Sequence, residues 1–184
     1  KDIALNRLDL AICPLGLVDA GKGFTFTPIL NARNIVACRT GHPLLKKRRL
    51  STHDLVDFPW IAPLPGSPLL ADMHAILLSI GMNEINIRYS GGSLLSVFNY
   101  LEETDGLAVL PHSVVFAHRR DRRITAVPLE VPQPNRSLGI LRLSGRPRIP
   151  AAEKLANHIT ARFDDLRQLI KRHENTVIWG AGDS

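Results

Sequence analysis

The sequence LSTHDLVDFPWIAPLPGSPL, residues 50–69, places an apolar strand directly ahead of a helix start. The apolar run Trp60–Ala62 predicts a short buried strand. Ser67 and Pro68 predict the start of a helix, because a hydroxyl at the N-cap and a proline at the first helical position are both favoured there. A strand that leads directly into a helix is the repeating unit of an α/β domain.

The same alternation continues on both sides of this stretch. Ser51 and Asp54 have the S-x-x-D spacing of a capping box, which predicts a short helix ahead of the strand. Apolar residues at helical spacing predict three longer helices, over 68–80, 93–104 and from 150 toward 170. Apolar runs predict strands at 9–13, 24–29, 34–39, 60–62, 85–89, 107–110, 124–129 and 138–143. The sequence therefore predicts an α/β domain with a largely parallel sheet covered by helices.

The composition indicates an ordinary globular chain of one domain or two small lobes, since the 184 residues are 45% hydrophobic and 22% charged. No apolar run approaches the roughly 18 residues that cross a bilayer, and residues 1–13 lack the pattern of a signal peptide. We therefore expect a cytoplasmic protein without membrane contact. Residues 1–13 read as the end of a helix that leads into a strand, which predicts that an opening segment is missing.

The net charge of +6 raises the question of nucleic acid as a partner. Four basic residues form the run 46–49, and four more lie within 119–123. Both runs lie between apolar segments and lack interleaved aromatic residues that could stack on bases, which predicts solvated loops. The sequence also shows no zinc-finger spacing and no helix-turn-helix. This part of the chain is therefore not expected to read DNA.

The common signatures of enzymes and metal sites do not occur in the sequence. Its seven histidines show no compact metal spacing, and Cys13 and Cys38 lack C-x-x-C spacing and lie in apolar runs, which predicts buried thiols. No nucleophile elbow, phosphate loop or dinucleotide fingerprint is found. We therefore expect no catalytic residue, no metal and no cofactor.

Two segments remain as candidate binding sites, PGSP at residues 65–68 and SGGS at 90–93, each between a predicted strand and a predicted helix. Unpaired backbone N–H groups and the positive end of the helix dipole let a helix start hold an anion, and glycine lets a ligand approach the backbone. Each segment alone is most simply a plain helix cap. Two of them in one α/β lobe favour a binding site, because ligands lie beyond the carboxyl ends of parallel strands.

Four segments in order, LDLAI (8–12), IVACRTGHPL (35–44), residues 50–69 and DGLAVLP (105–111), resemble the effector-binding domain of LysR-type transcriptional regulators across nearly the whole chain. The resemblance implies a type 2 periplasmic-binding-protein-like fold, in which two α/β lobes are joined by two crossover strands and the effector binds between them. It implies a first lobe of residues 1–39 plus 138–184 and a second lobe of 40–137. The first lobe would be incomplete, and the family's winged helix-turn-helix would be missing.

The same resemblance implies which residues bind a small-molecule effector. From the first lobe these would be Cys13 and Pro14, and from the second lobe Gly66, Ser67, Pro68 and Leu69, with Arg39 and Thr40 at the first crossover and Ser93 as a weaker candidate. Effector binding would change the arrangement of the lobes. Self-association through the sensing domain would pass this change to promoter DNA, which only the missing N-terminal domain would contact.

Two other classes of protein compete with this interpretation. A periplasmic solute-binding protein could have the same fold, although HPLLKKRRLSTHDLVDFPWI, residues 42–61, is typical of the regulators. An enzyme on a related two-lobed fold would need a catalytic group that the sequence does not offer. The upstream sequence discriminates, because a helix-turn-helix of roughly 60 residues indicates a regulator and an export signal indicates a solute-binding protein.

Overall fold

Strands and helices alternate along the residues that the structure, a computed structural model, describes: 2–14, 23–31, 33–132 and 137–177. The strands are β1 (Ala11–Pro14), β2 (Phe24–Asn31), β3 (Asn34–Arg39), β4 (Trp60–Ala62), β5 (Ile87–Ser90), β6 (Leu107–Pro111), β7 (Ile124–Ala126) and β8 (Ser137–Leu143). The helices are α1 (Pro68–Ser79), α2 (Leu94–Glu103), α3 (His112–His118) and α4 (Pro150–Val177). Two short 3-10 helices, Pro43–Lys46 and Thr52–Leu55, precede β4. The α/β class predicted from the sequence is confirmed.

The chain divides into two units, Lys1–Ala32 with Asn135–Lys171 and Arg33–Pro134 with Arg172–Ser184. The predicted lobes differ from these units at β3, which the lobe boundary at residue 39 assigns to the first lobe. In the structure β3 pairs with β6 and β7, so it belongs to the sheet of the second unit. The lobe assignment itself stays a prediction, and residues 15–22, 32, 133–136 and 178–184 lie outside the described residues.

The first unit contains an antiparallel sheet of order β1-β8-β2. Phe26 of β2 lies over Gly139 of β8, where an added Cβ would come within 2.2 Å of the ring. Helix α4 packs on this sheet through an apolar face, as its sequence pattern predicts. The shared core contains Ile29, Ile140, Ala156, Ile159 and Phe163.

The second unit contains a five-stranded sheet of order β5-β4-β6-β3-β7, with helices on both faces. Alternate residues of a strand point to opposite faces, and β3 shows this directly. Val36 and Cys38 contact one core cluster together with Met73 and Leu77 of α1. Ile35 and Ala37 contact a second cluster that includes residues of α2 and α3. Cys38 is therefore buried, and burial raises the pKa of its thiol to about 12.

The expectation of a largely parallel sheet is wrong. Only β4 pairs in parallel, with β5 on one side and β6 on the other. Strand β3 is antiparallel to both of its neighbours, and every pair in the first unit is antiparallel. The prediction failed because an apolar run shows that both faces of a strand are covered, but the run carries no information on strand direction.

The predicted helix starts are confirmed, whereas α3 was not predicted. Ser51 donates its backbone N–H to Asp54 Oδ2 at 2.8 Å, which is the reciprocal bond of a capping box. Hydrogen bonds from the Lys47 ammonium and from Ser51 hold the pKa of the Asp54 carboxyl at about 2. Helix α3 follows β6 without a loop, and its N-cap position is a proline that offers no capping side chain.

The two basic runs differ in their contacts. All four residues of 46–49 are exposed, but Lys46 ends a 3-10 helix and the Lys47 ammonium pairs with Asp54, so only part of this run is a solvated loop. In the second run, Arg122 donates to Glu102 and Asn99, and Arg119 stacks over the ring of Phe116. Arg122 therefore connects the turn after α3 to α2, and Arg119 packs on α3 itself. Among the described residues, none of the helices is long and apolar enough to span a membrane.

His42 closes the turn that follows β3. Its ring is fully buried, its Nδ1 accepts the backbone N–H of Leu44 at 3.1 Å, and its Nε2 lies 3.2 Å from the carbonyl oxygen of Asp105. Since Nδ1 accepts, the proton resides on Nε2 and is donated to the Asp105 carbonyl. The ring is thus bound as neutral imidazole, and burial lowers the pKa of His42.

We predict that acid destabilises the second unit through His42. Because the pKa of His42 is lower in the folded chain than its ordinary 6.5, the unfolded chain binds this proton more readily. The stabilising contribution should therefore be complete above about pH 6.5 and decline below it. Urea unfolding between about pH 8 and pH 5 measures the slope. His42→Gln should reduce the slope and His53→Gln, at an exposed position of the 3-10 helix Thr52–Leu55, should not; equal slopes in both variants would contradict the prediction.

Candidate functional site

Two strand-to-helix turns lie side by side at one edge of the second unit's sheet. The turn of residues 63–67 joins β4 to α1, and the turn of residues 91–93 joins β5 to α2. They are neighbours because β4 and β5 are parallel, so that both strands end at the same edge. Ser90 Oγ donates to the carbonyl oxygen of Pro63 at 3.1 Å, and the Gly91 N–H donates to that of Ala62 at 3.1 Å. The two turns therefore form one hydrogen-bonded surface.

Gly91 and Gly92 are required by close packing between side chains and this second turn. A Cβ added at Gly92 would lie 2.7 Å from Leu64 Cδ1, and one added at Gly91 would lie 2.6 Å from Tyr89 Cε1. Real Cβ atoms do not approach other atoms so closely, so only glycine fits without movement of the neighbours. The SGGS segment selected from the sequence thus has a structural reason for both of its glycines.

Ser67 caps α1 as the sequence predicts. Its Oγ accepts the backbone N–H of Leu69 at 3.2 Å, and Pro68 occupies the first helical position. Gly66 has φ of +77°, a left-handed conformation that an L side chain rarely adopts. Leu69 is 55% exposed, so its side chain borders the turn without joining the core. Gly66, Ser67 and Leu69 therefore lie together at the start of α1.

Ser93 lies at the equivalent position of α2 but bonds differently. Its side chain makes no capping hydrogen bond to α2, although its backbone carbonyl accepts the first helical N–H, from Val97 at 3.1 Å. Ser93 is exposed. The hydroxyl oxygen of Ser67 accepts the capping hydrogen bond. The hydroxyl oxygen of Ser93 accepts no capping bond. The structure thus places Ser67 and Ser93 at the same edge with different local roles.

Arg39 and Thr40 lie at the opposite edge of this sheet. Strand β3 runs antiparallel to β6, so the end of β3 adjoins the start of β6. Arg39 Nη2 is 2.7 Å and Nε is 2.9 Å from Asp105 Oδ1, and the Thr40 N–H donates to the carbonyl oxygen of Arg123 at 2.7 Å. The structure therefore does not bring Arg39 and Thr40 together with Ser67 and Ser93.

Cys13 and Pro14 end β1 in the first unit. They pair with Gly139 and Leu138 of β8. Cys13 is half-buried, and burial raises the pKa of its thiol, which disfavours the reactive thiolate.

Tyr89 and Leu64 belong to the candidate site but were not selected from the sequence. Tyr89 stacks on Tyr100 with ring centroids 5.2 Å apart, and its ring covers Gly91. Leu64 is exposed and contacts the position of Gly92. The sequence signal that could have selected Tyr89 is its position two residues before Gly91, because residues i and i+2 share one face of a strand. Leu64 gave no signal beyond being apolar within a turn.

Strand order makes this edge a topological switch point. Strand β4 lies between β5 and β6. Along the chain, α1 connects β4 to β5 on one face of the sheet, and α2 connects β5 to β6 on the other face. Connections that leave a strand pair in opposite directions open a crevice at the carboxyl ends of the strands, here between β4, which leads to β5, and β6, which leads to β7.

Residues 63–67 and 90–93 include no charged side chain. At the start of α1, Pro68 has no N–H and the N–H groups of Leu69 and Leu70 already donate to Ser67. The polar groups that this surface offers are therefore the serine hydroxyls and the start of α2, which suit binding rather than proton transfer.

Metal binding finds no support in the described ranges, where no three His, Cys, Asp or Glu side chains are grouped as metal ligands. The polar groups of the two turns have the chemistry to hydrogen-bond a small polar or anionic molecule. Hydrogen-bond donors fix the orientation of such a molecule, and Leu64, Leu69 and Tyr89 supply apolar contact.

Comparison with known proteins gives consistent results. The profile of the LysR substrate binding domain matches residues 1–164. The uncharacterized HTH-type transcriptional regulator YbhD of Escherichia coli K12 is 30% identical over 131 residues, which are 70% of this chain and 40% of that regulator. The chain therefore spans less than half the length of that relative.

Solved structures show the same fold. The regulatory domain of CcmR from Synechocystis PCC6803, in complex with 2-PG, has a TM-score of 0.68 and 19% identity over 88% of this chain and 76% of that one. The effector binding domain of QuiR in complex with shikimate has a TM-score of 0.61 and 19% identity over 94% and 76%. The predicted type 2 periplasmic-binding-protein-like fold is thus confirmed. The profile match over most of its length shows that this chain belongs to the LysR substrate-binding domain family.

Proposed function

We propose that this chain is the effector-sensing part of a bacterial LysR-type transcriptional regulator. The observation that carries the proposal is the pair of turns at residues 63–67 and 90–93, which hydrogen bonds and close glycine contacts hold together at the carboxyl ends of β4 and β5. A preformed surface with the hydroxyls of Ser67 and Ser93 and the start of α2 binds a polar ligand without reorganising. The membership of the family supports a regulatory rather than a catalytic use of that surface.

The proposed effector is a small molecule with a carboxylate or another oxyanion. Shikimate, the ligand of QuiR, carries a carboxylate. On this chain we propose that Gly66, Ser67, Pro68, Leu69 and Ser93 contact the effector. For Cys13 and Pro14, at the end of β1, an effector contact is what the family resemblance implies. Arg39 and Thr40 are not part of this proposal, because the Arg39 guanidinium is held by Asp105 at the other edge of the sheet.

In the whole regulator we propose that a helix-turn-helix outside this chain contacts promoter DNA in the cytoplasm. Effector binding would act on it only through a difference in affinity between two arrangements of the protein. The family match favours this role over the periplasmic solute-binding protein considered from the sequence, which would deliver its ligand to a transporter. We also propose that the chain is not an enzyme.

Self-association is proposed through α1. Three of its apolar residues, Met73, Ile76 and Leu77, are buried in the core of the second unit. Leu78 is 63% exposed, and Ala71, His74 and Ala75 on the same helix face are exposed as well. These four residues follow the i, i+3, i+4, i+7 spacing of a helix stripe. Small side chains around an exposed leucine suit close packing against another helix.

A thermal-shift screen of the chain against carboxylate and other oxyanion metabolites tests the proposal. A ligand at 100 times its dissociation constant should stabilise the chain by about 2.7 kcal/mol. The shift should be lost for a ligand that lacks the anionic group. If no metabolite of this class shifts the transition of either this chain or the complete regulator, the proposed ligand class is wrong.

Ser67→Ala should destabilise the second unit by about 1 kcal/mol, because the cap to the Leu69 N–H is lost. It should also weaken the effector response of the complete regulator. Ser93→Ala is the matched control for capping, since Ser93 makes no capping bond and its loss should cost less stability. Urea unfolding and effector titration separate the two effects. Unaltered effector affinity in Ser67→Ala would leave this serine with the capping role alone.

This chain should not bind promoter DNA with sequence specificity. The exposed run 46–49 can attract phosphates, but that attraction is independent of sequence and falls steeply with salt. Mobility shift assays should therefore show equal, weak retention of promoter and scrambled duplexes at low salt and none near about 200 mM salt. Retention of the promoter duplex alone at the higher salt would contradict the prediction.

The chain should self-associate, and Leu78→Lys should shift it toward the monomer. A charge placed at the centre of the exposed stripe on α1 would have to be buried in the interface. Leu155→Lys, at an exposed leucine of α4, is the matched control and should leave the association unchanged. Light scattering over a wide range of concentration measures both variants. A parent chain that stays monomeric throughout would show that the stripe is ordinary surface.

A further inference from the structure

A depression in the first unit is lined by residues of that unit alone. Its volume is about 400 Å³, within the range of sites that bind small molecules. It is bordered by Thr25 of β2, the end of β8, the loop after β8 and the first turn of α4. Pro14 pairs with Leu138 at the start of β8, whereas the depression reaches Arg142. Leu138 and Arg142 are four residues apart on β8, a distance of roughly 13 Å. The depression is therefore distinct from the end of the sheet that carries Cys13 and Pro14.

Three arginines line the depression against two carboxylates. The arginines are Arg142, Arg146 and Arg148, and the carboxylates are Asp9 and Glu153. Arg142 Nη1 donates to Glu153 Oε1 at 2.8 Å, and Arg148 Nη1 lies 3.5 Å from Glu153 Oε2. One carboxylate thus serves two guanidinium groups, each of which has five N–H donors. The lining therefore has an excess of positive charge and of hydrogen-bond donors.

The network of Glu153 with Arg142 and Arg148 has a structural role, since it ties β8 to α4. Arg146 has no evident part in that network. It follows Gly145, whose φ of +74° sets the turn after β8, and it is exposed at the rim of the depression. Across from it, Thr25 Oγ1 and Ser144 Oγ are 3.0 Å apart and share one hydrogen. The second hydroxyl hydrogen of that pair is available to another acceptor.

We propose that this depression binds a small oxyanion with at least two negative charges, of the chemical class of phosphate and the di- and tricarboxylates. Arg146 and the outward N–H groups of Arg148 and Arg142 would bind its oxygens in the bidentate manner that guanidinium favours. Asp9 and Glu153 repel any anion, so binding requires contact with more than one guanidinium group at once. An oxyanion with oxygens on several sides can make such contacts, whereas the single carboxylate of acetate reaches fewer of them.

Isothermal titration of this chain with citrate, and separately with inorganic phosphate, tests the inference at fixed ionic strength. Acetate serves as the monoanion control. We expect saturable binding of one citrate or phosphate per chain and none of acetate. Arg146→Gln should weaken that binding about tenfold, as expected for the loss of a charge-assisted hydrogen bond. Arg148→Gln should weaken it as well, with the Arg142 pair to Glu153 still in place.

A control variant separates a built site from general attraction to a basic chain. Arg120→Gln removes the same charge at an exposed position of the second unit and should leave the binding unchanged. Absence of saturable binding to both probes would overturn the inference. Equal weakening in Arg120→Gln and Arg146→Gln would also overturn it, because it would assign the binding to net charge alone.

Discussion

The strand β4 is hydrogen-bonded in parallel to β5 on one side and β6 on the other, and all three of its residues are buried. Trp60 and Ala62 contact the core on the α1 face, and Ile61 contacts the core on the opposite face. A strand buried in this way cannot move along its axis without exposing apolar surface or breaking two ladders. The position of its carboxyl end, and with it the turn to α1, is therefore fixed by the centre of the sheet.

Local features of the second unit could be predicted because they depend on neighbouring residues. The capping box at Ser51, the cap at Ser67 and the span of β4 each follow from a few adjacent side chains whose chemistry is specific. The direction of β3 and the start of α3 could not be predicted. Direction depends on which strands become neighbours, and α3 has no capping residue, so tertiary contacts rather than local signals determine both.

The candidate site was predictable in part for the same reason. PGSP and SGGS were recognisable as helix starts, but the contact between them depends on the pairing of β4 with β5, which no local pattern specifies. Arg39 illustrates the opposite case. The family resemblance implies a ligand contact for it, and antiparallel pairing places it beside Asp105 at the far edge of the sheet. Which residues come together in space is thus predictable from sequence only where they lie on one local element.

The contact between Gly92 and Leu64 couples two segments that are 28 positions apart in the sequence. A larger residue at Gly92 would meet the end of the Leu64 side chain, which is exposed and has room to turn away. A smaller residue at position 64 would remove the contact altogether. The effects on stability of changes at these two positions should therefore be coupled, although neither position lies on the same strand or helix as the other.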